Sequence, residues 1–487
     1  MRSRSHWKKY VVVVALLACD GPRTEPAPTA VPTPAATRSS ISTPSTPSLP
    51  VVDAFVRAEM TRQQIPGVAV AVIRDGVAVH RAGYGIANLE HDVPVTPSTI
   101  FQSGSMGKQF TSALVMMLVE DGKLALDASI ATYFPDAPAG FRAVTVRHLL
   151  THTSGIPDYT TDAFDFRADY TEDQLRAFAF AQTLEFAPGT RWSYSNTGYA
   201  LLGFLIRRVT GVFYGDLLRD RIFVPLKMTT ARVISEADII PHRAAGYQRV
   251  DGKLAHHEWV SPSLNTTADG ALYYSLDDVI LWDRALRAGA LLQPTSWKQM
   301  YTPVALASGK TYGYGFGWFV DPVRGHTVHR HSGAWQGFKT DIVRYPDDDL
   351  TVIVLCNLAE ANPEALSNGI VQTIAPELVE PAEGPAIPDD PVMTTRVWRL
   401  LDEAARGVLS REELAHTQAG FAAVAEEQFP ALLGKLGAPT SLVLRRHVER
   451  GDDQLYTYSA SYGEREFSVA VMVAPDGKLS KLSVRPR

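Results

Sequence analysis

Phe101-Gln-Ser-Gly-Ser-Met-Gly-Lys108 is the stretch on which the reading of this chain turns. Ser105 stands where an apolar helix begins: Phe110, Ala113, Leu114, Met117 and Leu118 follow at helical spacing, and Gly122 closes the run. A serine at a helix N-terminus has unpaired backbone N–H groups beside it, and the positive end of the dipole favours a developing anion. Lys108, three residues on, projects from the same face. Its amine can serve as base to the hydroxyl if burial and neighbouring positive charge lower its pKa. Alone, the pair reads equally well as a helix cap and a surface lysine. Ser5-His-Trp-Lys8 has the same spacing in a leader-like segment.

Two further elements change that balance. Trp192-Ser-Tyr-Ser-Asn-Thr-Gly198 contains Tyr194-x-Asn196, the only Tyr-x-Asn of the chain. His331-Ser-Gly-Ala334 precedes a late hairpin, in an edge-strand position. A tyrosine can pass a proton between nucleophile and leaving group, and an asparagine can hold a lysine and a substrate amide. A strand ending in small residues lets backbone N–H groups approach a substrate carbonyl. Met singly, each element reads more simply as a buried tyrosine or a glycine turn.

Ser-x-x-Lys, Tyr-x-Asn and [Lys/His]-x-Gly in that order resemble the signature of the penicillin-recognising serine hydrolases. Tyr-x-Asn in the middle is similar to the class C β-lactamase and D-alanyl-D-alanine carboxypeptidase family. Supporting stretches are His148-Leu-Leu-Thr-His-Thr-Ser-Gly155, Phe186-Ala-Pro-Gly189, Ala268-Asp-Gly270 and Tyr314-Gly-Phe-Gly-Trp318. The resemblance covers about residues 51–375. It implies that Ser105 is the nucleophile and Lys108 its base. It further implies that Tyr194 shuttles the proton, Asn196 orients Lys108 and substrate, and Ser105 and Ala334 supply the oxyanion-hole N–H groups. His331, Ser332 and Gly333 would touch substrate. His331 departs from the lysine of the β-lactamase pattern and, being only partly charged near neutrality, should hold a substrate carboxylate less firmly. On that view, turnover of carboxylate-bearing substrates rises as pH falls towards 6.

Patterning around the motifs indicates an α+β fold. A helix-like Val51–Gln64 leads into Val68–Ile73, Asp75-Gly76 and Val77–His80, which reads as a hairpin. A second pair, Thr340–Tyr345 and Thr351–Leu355, flanks Pro346-Asp-Asp-Asp349. Strands at both ends with helices between them suggest an antiparallel sheet completed by its termini beside a mostly helical subdomain. With the resemblance, this is a β-lactamase/transpeptidase-like fold. Pro381–Pro391 is a Pro/acidic linker within 376–391. Residues 392–487 form a small separate α+β domain, with helices over Thr394–Arg406 and Ser410–Gln428. Its strands fall over Ser441–His447, Gln454–Ser461 and Phe467–Val473, with a turn at Pro475–Lys478. No catalytic constellation occurs there.

Residues 1–18 read as a lipoprotein signal peptide. Arg2, Arg4, Lys8 and Lys9 form the positive region, and the apolar Val11–Ala18 is too short to span a bilayer. Leu16-Leu17-Ala18-Cys19 resembles a bacterial lipobox, which implies cleavage before Cys19 and its lipidation. Residues 19–50, rich in Pro, Thr, Ser and Ala, read as a disordered tether. The expected location is therefore outside the cytoplasmic membrane, lipid-anchored, periplasmic or at the cell surface.

A net charge of −5 gives no field for nucleic acid. Cys19 and Cys356 are the only cysteines, so neither a closed thiolate zinc site nor a disulfide framework is available. Cys356, in an apolar strand-like run, reads as a small buried hydrophobe. His326, His329 and His331 lie close together and His148 and His152 are four apart, but no acidic residue completes a metal motif. No metal or cofactor is expected, and the chain is expected to be a monomer. Pro157–Phe186, with Tyr159, Phe164, Phe166 and Tyr170, is expected to form part of the pocket wall. The function expected is hydrolysis of an amide or ester through a covalent acyl-enzyme, with a D-amino-acid peptide or related ester as substrate. A class C-like β-lactamase and an inactive penicillin- or peptidoglycan-binding protein are the alternatives.

Overall fold

The computed structural model describes residues 49–160, 164–380, 385–414, 416–417 and 421–486. The expected signal peptide, Cys19, the Ser5/Lys8 pair and the expected tether up to residue 48 lie outside the described residues. A helix Pro50–Gln63, opened by its proline, leads into strand Gly67–Arg74. Asp75 and Gly76 have φ of 52° and 75°, the positive values of the tight turn that Asp-Gly favours. The chain returns along Val77–Asn88, a longer strand than the four residues expected.

The late hairpin joins this pair edge to edge. A six-stranded antiparallel sheet runs in the order His329–Trp335, Phe338–Tyr345, Leu350–Cys356, Gly67–Arg74, Val77–Asn88, Val93–Pro94. Its centre pairs the two ends of the domain, with Val68 opposite Cys356 and Ile73 opposite Thr351. Gly67–Arg74 is nearly continuously apolar because both of its faces are covered. Ala69, Ala71 and Ile73 face one core with Ile353 and Leu355. Val68, Val70 and Val72 face the other with Val352, Val354 and the buried Cys356, beneath helices Pro50–Gln63 and Pro363–Ile374. Period-two alternation thus divides one strand between two cores.

The first core also buries helix Lys108–Glu120, whose residues 108–118 are all inaccessible, and helix Asn196–Thr210 packed against it. One sequence expectation shifts. Gly104–Gly107 is a 3₁₀ turn, and the α-helix proper begins at Lys108. Ala268-Asp-Gly270 precedes strand Leu272–Ser275, which pairs with Ile100–Gln102, and a helix follows only from Leu276. His148 lies in helix Val146–Leu150, whereas His152 is beyond its end with φ of 58°.

After helix Pro391–Arg406, the chain builds a third core of its own from residues between Met393 and Val484. The helix expected over Ser410–Gln428 forms instead over Phe421–Leu433, with turn at 411–414. Four antiparallel strands follow in sequence order: Ser441–Arg450, Asp453–Tyr462, Arg465–Val473 and Leu479–Pro486. The last was not foreseen, because Lys478–Arg485 is polar at every residue except Leu479, Leu482 and Val484, which are buried.

Candidate functional site

The turn carrying Ser105 is fixed from two sides. Ser103 is tied to the strand Leu272–Ser275 and its approach: its N–H donates to Leu272 O at 2.8 Å, its hydroxyl donates to Gly270 O at 2.6 Å, and Oγ accepts from the Leu272 N–H at 3.2 Å. From the sheet, Thr340 Oγ1 donates to Ser103 O at 2.7 Å. Glycines let the turn press onto the edge strand. A Cβ at Gly333 would lie 2.1 Å from Ser103 O. Gly104 has φ of 51°, and a Cβ there would lie 2.3 Å from Ala334 N. The N–H of Ala334 is thereby brought beside the residue preceding the nucleophile.

Lys108 is fully buried on the first turn of its helix. Its Nζ donates to Ser105 Oγ at 3.0 Å, to Asn196 Oδ1 at 2.7 Å and to the carbonyl of Asp269. Burial lowers its pKa to about 8, against the opposing fields of Asp269 and Asp158. At pH 7 about a tenth of such an amine is neutral, compared with roughly one part in three thousand at the ordinary value. The helix thus presents a usable base 3.0 Å from a hydroxyl.

Tyr194 approaches from the other side, its phenol within reach of the Ser105 hydroxyl. Lys108 Nζ lies 5.0 Å from its ring centroid. Burial raises the phenol well above its ordinary pKa, with the Ser105 hydroxyl opposing, so it is a neutral donor and acceptor rather than a phenolate. Asn196 occupies the first turn of helix Asn196–Thr210, capped by the Ser195 side chain. Its amide bridges Lys108 and the Asp158 carboxylate, to which Nδ2 donates at 2.9 Å. That second contact fixes which end of the amide faces the lysine.

Behind Tyr194 lies a directional chain of hydrogen bonds. The Ser195 N–H donates to His152 Nδ1 at 3.1 Å, so Nε2 carries the His152 proton and faces the Tyr314 hydroxyl at 3.2 Å. Tyr314 meets His331 Nε2 at 3.1 Å, while His331 Nδ1 donates to Ser332 O at 2.6 Å. The carbonyl can only accept, so Nδ1 bears the His331 proton and Tyr314 is the donor to Nε2. The His152 ring lies 4.1 Å from that of Tyr194, centroid to centroid. Its positive φ is a strained value for a residue with a side chain.

Ser105, Lys108, Tyr194 and Asn196 therefore meet in one place, with the backbone of Gly333-Ala334 alongside. Two expectations for the third motif change. The His331 side chain is buried and both ring nitrogens are committed to protein groups. Burial first, then the nearby Lys108 charge, lowers its pKa to about 3. It is therefore neutral, with neither ring nitrogen free to meet a substrate carboxylate. Ser332 turns to the opposite face, towards the Glu364 carboxylate. Residues that the sequence reading did not single out are Asp158, the carbonyl of Asp269, and Tyr314 as a link. The quoted Ala268-Asp-Gly270 and Tyr314–Trp318 stretches held two of them, but nothing in their spacing gave a role.

Tyr159, Phe164, Phe166 and Tyr170 form one aromatic cluster, with Phe164 stacked on Tyr170 at 4.9 Å. Phe166 approaches Trp335, the residue after Ala334, at 6.3 Å, and Trp335 is pinned by Nε1 donating to Asn265 Oδ1 at 2.6 Å. The His326 ring bonds Asp348 at 3.0 Å and His329 stacks on Tyr301 at 3.9 Å, so the three histidines face different partners.

The Beta-lactamase family profile matches residues 52–375. Penicillin-binding protein 4* of Bacillus subtilis is 30% identical over 317 residues, 61% of this chain and 69% of that protein. A D-aminopeptidase of Gluconobacter oxydans is 32% identical over 316 residues, 63% of this chain and 58% of its own length. Among solved structures, the D-amino acid amidase from Ochrobactrum anthropi SV3 complexed with L-phenylalanine amide aligns with a TM-score of 0.57 and 26% identity, over 68% of this chain and 96% of that one. The octameric penicillin-binding protein homologue from Pyrococcus abyssi has the same fold over 89% of this chain and 98% of its own, with a TM-score of 0.60 and 22% identity. The chain belongs to the Beta-lactamase family and is a serine hydrolase.

Proposed function

We propose that this enzyme hydrolyses amides or esters of D-amino acids through an acyl-enzyme on Ser105. One observation carries the choice of substrate: His331 places a neutral, inward-turned imidazole where a carboxylate-binding enzyme needs a cation. Substrates without a carboxylate beside the scissile bond fit this arrangement better than a carboxypeptidase's or a β-lactam. Similarity to a D-aminopeptidase and to a D-amino acid amidase supports the same class.

In acylation the neutral amine of Lys108 takes the Ser105 proton as Oγ attacks the carbonyl carbon. Backbone N–H groups of Ser105 and Ala334 receive the oxyanion, a contribution of about 10²–10³ in rate per donor in comparable sites. Asn196 holds Lys108 in line. Tyr194 gives its hydroxyl proton to the leaving nitrogen or oxygen and is reprotonated from Lys108. Water, deprotonated through Tyr194, then releases the acid.

The test is hydrolysis of D- and L-phenylalanine amides by the wild type and by Ser105→Ala. D-selective turnover that disappears in the variant is expected. Equal rates on both enantiomers, or turnover confined to a β-lactam, would sink the reading.

We further infer that Cys19 is lipidated and holds the enzyme outside the cytoplasmic membrane, on the strength of Leu16-Leu17-Ala18-Cys19 behind its basic region. Fractionation of cells expressing Cys19→Ser should move the protein from membrane to soluble fractions. Retention in the membrane would refute the anchor.

A further inference from the structure

The C-terminal domain reaches the catalytic domain through the turn between its first two strands, Arg450-Gly-Asp-Asp453. Arg450 is ion-paired with Asp321, and both are partly buried. The N–H of Gly451 donates to Thr311 O at 3.0 Å. Asp453 accepts from Arg191 Nη2 at 3.3 Å and is held by the Ser480 hydroxyl. At the rim, Lys310 Nζ meets Glu449 Oε1 at 3.2 Å. Three of these contacts converge on two short segments, 310–312 and Arg191, and the fourth on Asp321, whose carboxylate packs against Gly313 next to Tyr312.

Those segments lead straight to the site. Tyr312 lies flat on Trp192, with centroids 4.2 Å apart and planes within 8°. Trp192 in turn is 6.3 Å from the Tyr194 ring, 6.0 Å from His152 and 5.8 Å from Tyr314. Only one residue separates Trp192 from Tyr194 in the chain. The stretch 190–195 lies outside any helix or strand, so its backbone has no ladder of its own to fix it. Its position is set by what it packs on: His152 and Tyr314 inside, Tyr312 and the C-terminal turn outside.

We propose that the C-terminal domain is a positioning element for Tyr194, its Arg450–Asp453 turn clamping Arg191 and the Thr311–Tyr312 segment so that the Trp192–Tyr312 stack holds the phenol against Ser105. The inference rests on the reading of Tyr194 as proton relay. Loss of the clamp lets the 190–195 stretch shift, and displacement of a reacting group by about 1 Å can cost on the order of 10²-fold in rate. Asn196, tied to Lys108 and Asp158, keeps its own anchors, so the loss falls on kcat rather than KM.

The experiment is a double-mutant cycle in the full chain, read on a p-nitrophenyl ester and on a D-amino acid amide. Tyr194→Phe, Arg450→Ala, Arg450→Lys and the Arg450→Ala/Tyr194→Phe pair are compared. Expected are a fall in kcat of about tenfold or more for Arg450→Ala with KM within about twofold, and substantial recovery in Arg450→Lys. The double variant should be no slower than Tyr194→Phe alone, because both act through one phenol. Multiplicative losses in the double variant, or wild-type kcat in Arg450→Ala, overturn the clamp. Should Arg450→Ala not fold, Asp453→Asn takes its place in the same cycle. Wild-type activity of Tyr194→Phe would instead refute the relay reading, a separate failure from that of the clamp.

Discussion

The Tyr314 hydroxyl donates to His331 Nε2 across 3.1 Å, and this bond decides what the third motif can do. With Nδ1 donating to Ser332 O, the accepting Nε2 is unprotonated and the imidazole at 331 is neutral. His331→Gln, whose amide oxygen can accept from Tyr314, should keep kcat within about tenfold of wild type. His331→Lys should lose far more and should not gain carboxylate-bearing substrates, because an ammonium there is buried against Tyr314 and Lys108. Kinetics of both variants on D-amino acid amides and on carboxylate-bearing peptides decide the matter. A Lys variant with improved peptide turnover would contradict this account.

Lys108 must be neutral to accept a proton, and burial brings its pKa to about 8. The sign follows directly: kcat/KM should rise with pH, about tenfold per unit below 7, and level off above about 8. No decline is expected as pH rises from 5.5 through 7, because His331 and His152 are held neutral by burial over that range. A rate that increases towards pH 6 would show that a protonated imidazole assists after all. The measurement is a pH profile on a neutral ester.

The close contact between the nucleophile turn and the edge strand leaves no room for a methyl group. Gly333→Ala places its Cβ 2.1 Å from the Ser103 carbonyl, and Gly104→Ala adds a left-handed φ to a 2.3 Å clash with Ala334 N. Either change pushes the Ser105 and Ala334 N–H groups apart. Acylation rates with p-nitrophenyl acetate should drop on the order of 10²-fold, in line with loss of an oxyanion donor.

Asp283 and Arg344 form an ion pair at 2.7 Å with both side chains almost wholly inaccessible, and Thr351 Oγ1 adds a bond to the same carboxylate at 2.9 Å. The pair ties helix Leu276–Arg287 to the two central late strands. Asp283→Ala strands a guanidinium in the core and should cost about 3–5 kcal/mol in urea unfolding. Replacing both partners with apolar residues should cost less than Asp283→Ala alone, since no unpaired charge remains.

Much of this protein was legible from its linear order. Ser105-x-x-Lys108 at the head of an apolar helix carries its meaning locally, because residues three apart on a helix share a face. The sheet's central strands were legible for a similar reason: Asp75-Gly76 dictates its own hairpin, and unbroken apolar runs demand two covered faces. Helix 421–433 and the last strand were read less well. Their boundaries depend on packing within the third core, which local propensity does not encode.

What spacing could not supply was the direction of side chains that meet across long separations. His331 looked like a hand for substrate; the fold turns it inward to Tyr314, because residue alternation sets its face and the neighbouring aromatic layer removes its charge. Asp158 and Asn196, 38 residues apart, become partners only once a loop and a helix N-terminus are packed together. The types and order of the reacting groups were thus determined by the sequence itself, while their protonation and aim were decided by burial, which exists only in the folded chain.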